Sequence, residues 1–130
     1  MAGYRKNPNA VSALQYDLVW CPKYRRPVLV DAVAERLEFL LRQKAAEEGV
    51  VIHSLEVKPD SVRLSVESDP TWAPAGIAAR LKSYTSHVLR QEFPHLRSRL
   101  PTLWSRSYYV TSVGHISEAA VRSFIEDQHW

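Results

Sequence analysis

Cysteine is nearly absent from this 130-residue chain. Cys21 stands alone, which excludes an internal disulfide and any zinc site built from several cysteines. A single free cysteine reads most simply as a small, buried, inert thiol. Also missing is any apolar run near the roughly 18 residues that a membrane span needs. The opening Met1-Ala2-Gly3-Tyr4-Arg5-Lys6 has no apolar stretch behind its charges, so it does not read as a secretory signal. A cytoplasmic location with no membrane partner is expected. Repeats, low-complexity stretches and linkers are lacking as well. Residues 1–130 therefore read as one domain, long enough for one core and short for two. Acid is scarce in one region: between Thr71 and Ser117 only Glu92 faces Arg80, Lys82, Arg90, Arg97, Arg99 and Arg106. The whole-chain charge of +3 is too small to argue for nucleic acid, but this distribution is more telling. A second cluster, Lys23-Tyr24-Arg25-Arg26, interleaves an aromatic with cations. A solvated face explains either cluster alone; both in so small a chain point to a phosphate-backbone footprint.

What is present orders itself into short elements. Leu14, Tyr16, Leu18 and Trp20 alternate with Ala13, Gln15, Asp17 and Val19, so Ser12 to Trp20 is expected to be a strand. Pro22 and Pro27 bound a turn that carries the first basic cluster. Asp31 is the expected N-cap of a helix with Val33, Leu37, Leu40 and Leu41 as its stripe and Gly49 just past its end. Val50 to Val57 and Ser61 to Ser68 form a hairpin about Pro59-Asp60; the second strand is expected to have a dry face and a polar face bearing Ser61, Arg63, Ser65 and Glu67. Pro74 opens a second helix with the stripe Ile77, Leu81, Tyr84 and Val88, ended by Phe93-Pro94. His95 to Ser107 reads as a basic loop, Tyr108 to Val113 as a strand. Ser117 caps a last helix carrying Val121, Phe124, Ile125 and Gln128. The order predicts an α+β, ferredoxin-like split βαβ fold: a four-stranded antiparallel sheet, two helices on one face and a C-terminal helix at its uncovered side or edge.

Four segments carry a family resemblance. They are Tyr16-Asp17-Leu18-Val19-Trp20-Cys21-Pro22-Lys23-Tyr24-Arg25, Glu56-Val57-Lys58-Pro59-Asp60-Ser61-Val62-Arg63-Leu64, Leu103-Trp104-Ser105-Arg106-Ser107-Tyr108-Tyr109-Val110 and Phe124-Ile125-Glu126-Asp127-Gln128. In this order, on these elements, the chain resembles the small single-tyrosine HUH transposases, TnpA-like proteins of IS-two-hundred and IS-six-hundred-five insertion sequences. The resemblance implies cleavage and transfer of single-stranded DNA beside a hairpin, by a homodimer. It also implies magnesium or manganese held by two histidines of a central strand and a glutamine of the last helix, and a tyrosine that forms a covalent phosphotyrosine.

Carried over residue by residue, the resemblance puts Ser61 and Arg63 at the histidine positions, Phe124 at the tyrosine and Gln128 at the glutamine. Serine is a poor divalent-cation ligand, arginine is permanently protonated, and phenylalanine has no oxygen to attack with. No cofactor is therefore expected, with a divalent cation such as magnesium or manganese only if the protein is active. Tyr108 or Tyr109 as a replacement nucleophile keeps an active enzyme with displaced groups open. His53, Glu56, Asp60, His115 and Gln128 lack a ligand spacing that predicts a metal site, and His87 and His95 read as surface histidines. The expected function is binding of single-stranded or hairpin DNA without cleavage. Arg63 would meet a phosphate, and Lys23, Tyr24, Arg25, Arg26, Arg80, Lys82, Arg90, Arg97, Arg99, Trp104 and Arg106 would contact the strand, with Tyr24, Trp104 and Trp72 for stacking. A decayed relic with no ligand is a further alternative, and an RNA-binding module is disfavoured by the lack of closely spaced strand aromatics.

Overall fold

A computed structural model describes residues 5–7, 10–12, 14–69, 71–112 and 123–127. A short hairpin, β1 (Arg5–Asn7) and β2 (Ala10–Ser12), comes first, and β3 (Leu14–Trp20) follows. The single strand expected from Ser12 onward is thus divided. Ser12 pairs with Arg5 in the short hairpin, and Leu14 onward joins the main sheet.

After β3 come a 3₁₀ turn (Lys23–Arg25), helix α1 (Asp31–Glu47), strands β4 (Val51–Lys58) and β5 (Ser61–Ser68), helix α2 (Pro74–Glu92), a short helix α3 (His95–Ser98) and strand β6 (Tyr109–Ser112). The four-stranded sheet runs β4-β5-β3-β6, with every neighbouring pair antiparallel. Each helix thus connects two strands that have a third between them, the split βαβ arrangement expected from the element order. Residues 123–126 add a helical turn; Val113, Gly114, His115, Ser117, Val121 and Gln128 lie outside the described residues.

Side chains alternate across a strand, so the register sorts them. Leu18 and Trp20 of β3 and Val62, Leu64 and Val66 of β5 join Val33, Leu37, Leu40 and Leu41 of α1 and Ile77, Leu81 and Leu89 of α2 in one buried core. The α1 stripe is the expected one, and Gly49, at φ 73°, takes the left-handed conformation that follows a helix end. Asp31 is not the cap. Val30 holds that position without a side-chain hydrogen bond, and Asp31 lies inside the first turn, where its charge still favours the helix dipole. The buried edge of α2 is shifted by one residue from the expected stripe: Thr85 is fully buried, whereas Tyr84 and Val88 are only half-buried.

The opposite face of the sheet is not the open polar surface that alternation alone suggests. Ser61 and Glu67 are buried, and Arg63 and Ser65 half-buried. A central strand has neighbours on both sides, so polar character does not imply exposure. The basic loop after α2 is partly helical and returns to pair with the end of β3 through a bridge between Pro22 and Trp104. Among the described residues no helix is long and apolar enough to cross a membrane.

Candidate nucleic-acid interface

On the face away from the helices the register builds rows. Glu56, Arg63, Val19 and Tyr109 stand opposite one another across β4, β5, β3 and β6, and the next row holds Ser54, Ser65, Asp17 and Thr111. Ser61 opens the same face of β5, opposite Lys58. The helical turn at 123–126 approaches this face from the β6 side: the rings of Phe124 and Tyr109 are 5.9 Å apart at 51°. Tyr109 thus meets the turn, whereas Tyr108 packs toward the main core. Arg63 is engaged within the chain rather than idle.

The donors at positions 61 and 63 are a nearly buried hydroxyl and a guanidinium. A guanidinium supplies N–H donors and positive charge where a cation needs a lone pair, so this pair does not fit a divalent metal. His53 Nε2 lies 2.8 Å from the buried Glu67 Oε1, at a bulge between Ile52 and Ser54, and these two groups are committed to each other.

The Ser61 end of this face is where the basic segments converge. Lys23 N donates to Leu103 O at 2.8 Å, and Ser105 N to Cys21 O at 2.9 Å, which ties the turn after β3 to the loop before β6. Leu29 N donates to Pro59 O at 3.0 Å, which ties the same turn to the β4–β5 connection just before Ser61. Tyr24 and Arg25 both have positive φ, 58° and 52°. Such backbone costs non-glycine residues about 1 kcal/mol each. It directs Arg25 inward: Nε lies 3.1 Å from Asp60 Oδ2, and Nη1 donates to Ile125 O at 3.3 Å. One arginine therefore links the turn before Ser61 to the helical turn that carries Phe124.

The sequence-predicted contact residues fall into distinct groups. Arg26, Arg97, Arg99 and Arg106 are exposed, and no side-chain bond or ion pair engages them among the described residues. Tyr24 is also exposed, with Lys23 Nζ 5.3 Å from its ring centre. Arg80 is exposed but paired with Glu48 and stacked 5.1 Å from the half-buried Trp72 ring. Arg90 donates to Leu100 O at 3.3 Å. Lys82 is held inside, donating to the carbonyls of Ser105, Arg106 and Ser107 at 2.7, 3.3 and 3.4 Å, and burial lowers its pKa. It shapes the basic loop from beneath.

Trp104 is not a surface stacking residue. It is 6% exposed, edge-on to Trp20 with ring centres 6.0 Å apart, and its Nε1 donates to Thr85 Oγ1 at 3.1 Å. A large apolar ring with one hydrogen-bonding group is better buried when a partner exists, and Thr85 is that partner. Cys21 is buried too; burial foremost, with the Asp60 charge added, pushes its thiol up to about 12. His87 and His95 are exposed, and His95 meets Phe93 edge-on. Sequence reasoning missed the Arg25 link, the Thr85 partnership and the role of Lys82. Only the coincidence of a threonine beside the α2 stripe with a tryptophan in the following loop hinted at any of them.

A family model described as "Transposase IS200 like" matches residues 10–128. The chain belongs to the IS200-like transposase family. Among its relatives, the ISDra2 transposase TnpA of Deinococcus radiodurans is 35% identical over 127 residues, 96% of this chain and 91% of that protein. The transposase for insertion sequence element IS200 of Salmonella typhimurium is 27% identical over 116 residues, 88% and 76% of the two chains. A crystal structure of a candidate transposase from Deinococcus radiodurans R1 superposes with a TM-score of 0.88 at 36% identity, covering 96% of this chain and 98% of that one. The REP-associated tyrosine transposase bound to a REP hairpin shares the fold, with a TM-score of 0.60 at 12% identity over 97% and 69% of the two chains.

Proposed function

We propose that this IS200-like family member binds single-stranded or hairpin DNA, with its strand-cleaving chemistry lost. The observation that carries the binding is the convergence of two basic segments at the Ser61 end of the sheet, with Arg26, Arg97, Arg99 and Arg106 exposed and unpaired among the described residues. Unpaired guanidiniums on a shared surface are the feature a phosphate backbone requires. The loss of chemistry is inferred from the residues at the positions the resemblance assigns to catalysis. Phe124 has no oxygen, Ser61 and Arg63 do not make a cation site, and no cofactor is proposed. A phosphate reaching Arg63 would share a guanidinium that already has a partner, using donors left over from the five it carries.

The protein would work as a homodimer in the cytoplasm. Strands β4 and β6 are the two edges of the sheet, and pairing an edge with a second copy satisfies its open backbone groups. Sedimentation that finds only monomer would remove that part of the proposal. The second reading, an active transferase with displaced groups, is favoured by one contact, the phenolic ring of Tyr109 against Phe124.

The test is incubation with labelled hairpin DNA, with and without magnesium or manganese, scored for retention and for covalent adduct. Binding that weakens by roughly 0.7 log units per log unit of salt for each phosphate neutralised, without adduct, is expected. A phosphotyrosine species abolished by Tyr109→Phe would establish the displaced-group enzyme instead. Salt-independent binding, or none, would favour a relic.

A further inference from the structure

Between the turn after β3 and the loop after α3 runs an open groove of about 480 Å³, lined by Arg26, Pro27 and Val28 on one side and Arg99 and Leu100 on the other. Each wall contributes one exposed arginine, and neither guanidinium has a side-chain partner among the described residues. Arg25, one residue earlier, differs on both points: it is half-buried and bound to Asp60. No carboxylate lines the groove. Its remaining lining is apolar and held in place by the fold. Leu100 is 3% exposed, and Leu29, next to Val28, is fixed to Pro59 by its backbone N–H.

Two idle cations bordering an apolar wall call for a ligand with two anionic positions and a flat apolar part between them. Consecutive phosphodiesters of a single strand with an unpaired base meet that description. A duplex presents the phosphates but keeps its bases stacked inside, so it would use the cations and leave the wall bare. The volume is of the order that holds one small ligand, which suits a single nucleotide. We propose that this groove is a single-strand subsite, in which Arg26 and Arg99 hold neighbouring phosphates and the intervening base packs on Pro27 and Val28. It rests on the DNA-binding reading above and adds to it a place on the surface that holds one unpaired nucleotide.

The test compares wild-type protein with the Arg26→Ala/Arg99→Ala double variant, using an unstructured oligothymidine and a blunt duplex of equal length. Arg42→Ala, which removes an exposed arginine of α1, is the control. The double variant is expected to bind the oligothymidine about tenfold more weakly, with the salt slope reduced by about 1.4, two single-strand contacts' worth. Duplex affinity should fall by much less, and the control should match wild type on both. Val28→Glu, which places a carboxylate on the wall while keeping both arginines, should also weaken oligothymidine more than duplex. Wild-type binding that the double variant and Val28→Glu leave unchanged would overturn the subsite alone. An equal loss on both DNAs would reduce it to a nonspecific charge patch. A wild type that binds neither DNA would overturn the DNA-binding reading and the subsite together.

Discussion

Thr85 shows how much a single hydroxyl can decide in this core. It is fully buried on α2, donates to Leu81 O at 2.7 Å and accepts from Trp104 Nε1 at 3.1 Å. The indole of Trp20, edge-on to Trp104, already has a buried Nε1 without a partner among the described residues. Replacing Thr85 with valine keeps the shape and strands a second indole N–H, which should cost about 1–3 kcal/mol. Urea denaturation should show that loss for Thr85→Val and most of the stability retained for Thr85→Ser. Equal stabilities for the two variants would mean the hydroxyl is not Trp104's anchor. At this scale the sequence is least readable. Trp104 and Lys82 look like surface contacts because they sit in a basic segment, yet partners from distant segments, Thr85 for one and three carbonyls for the other, place both inside.

Arg25 acts between elements. Its bonds to Asp60 and Ile125 join the 3₁₀ turn, the β4–β5 connection and the helical turn at 123–126. Side-chain exposures of 26% and 31% leave the ion pair partly screened, so Arg25→Ala should destabilise the protein by only about 1 kcal/mol. Asp60→Asn should lose less, since Arg25 keeps its carbonyl. A double-mutant cycle should return a coupling of about 0.5 kcal/mol, and Arg25→Ala alone should speed proteolysis around residues 123–127. Zero coupling with unchanged proteolysis would remove this link. The elements themselves were largely legible, because local chemistry determines them. Leucines at helical spacing, Gly49 after α1, Pro59-Asp60 between two β-rich runs and Pro74 at the start of α2 are all used as their chemistry dictates. Less legible were the division of the first strand, set by a separate hairpin partner, and the burial on β5's polar face, which goes with its central place between β4 and β3.

For the whole molecule, element order implied strand order, which brings Ser61 and Arg63 to one face and Phe124 over Tyr109 at its β6 side. The convergence of the two basic segments was not legible, because it depends on backbone hydrogen bonds between residues far apart in the chain. If the fold still supports the chemistry that the resemblance implies, lost groups should be restorable in stages. Ser61→His with Arg63→His puts two imidazoles on the same face of β5 and removes a fixed positive charge, so manganese affinity measured by calorimetry should rise from negligible to measurable. Cleavage should stay absent, because Phe124 still lacks an oxygen. Phe124→Tyr added to that pair supplies one, and a covalent protein–DNA adduct should then form only in the triple variant and only with metal. Adduct formed by the wild type, or by the double variant before Phe124 is changed, would show that some other residue attacks. A triple variant that binds manganese no better than wild type would instead mean that the fold has drifted beyond the geometry a metal site needs.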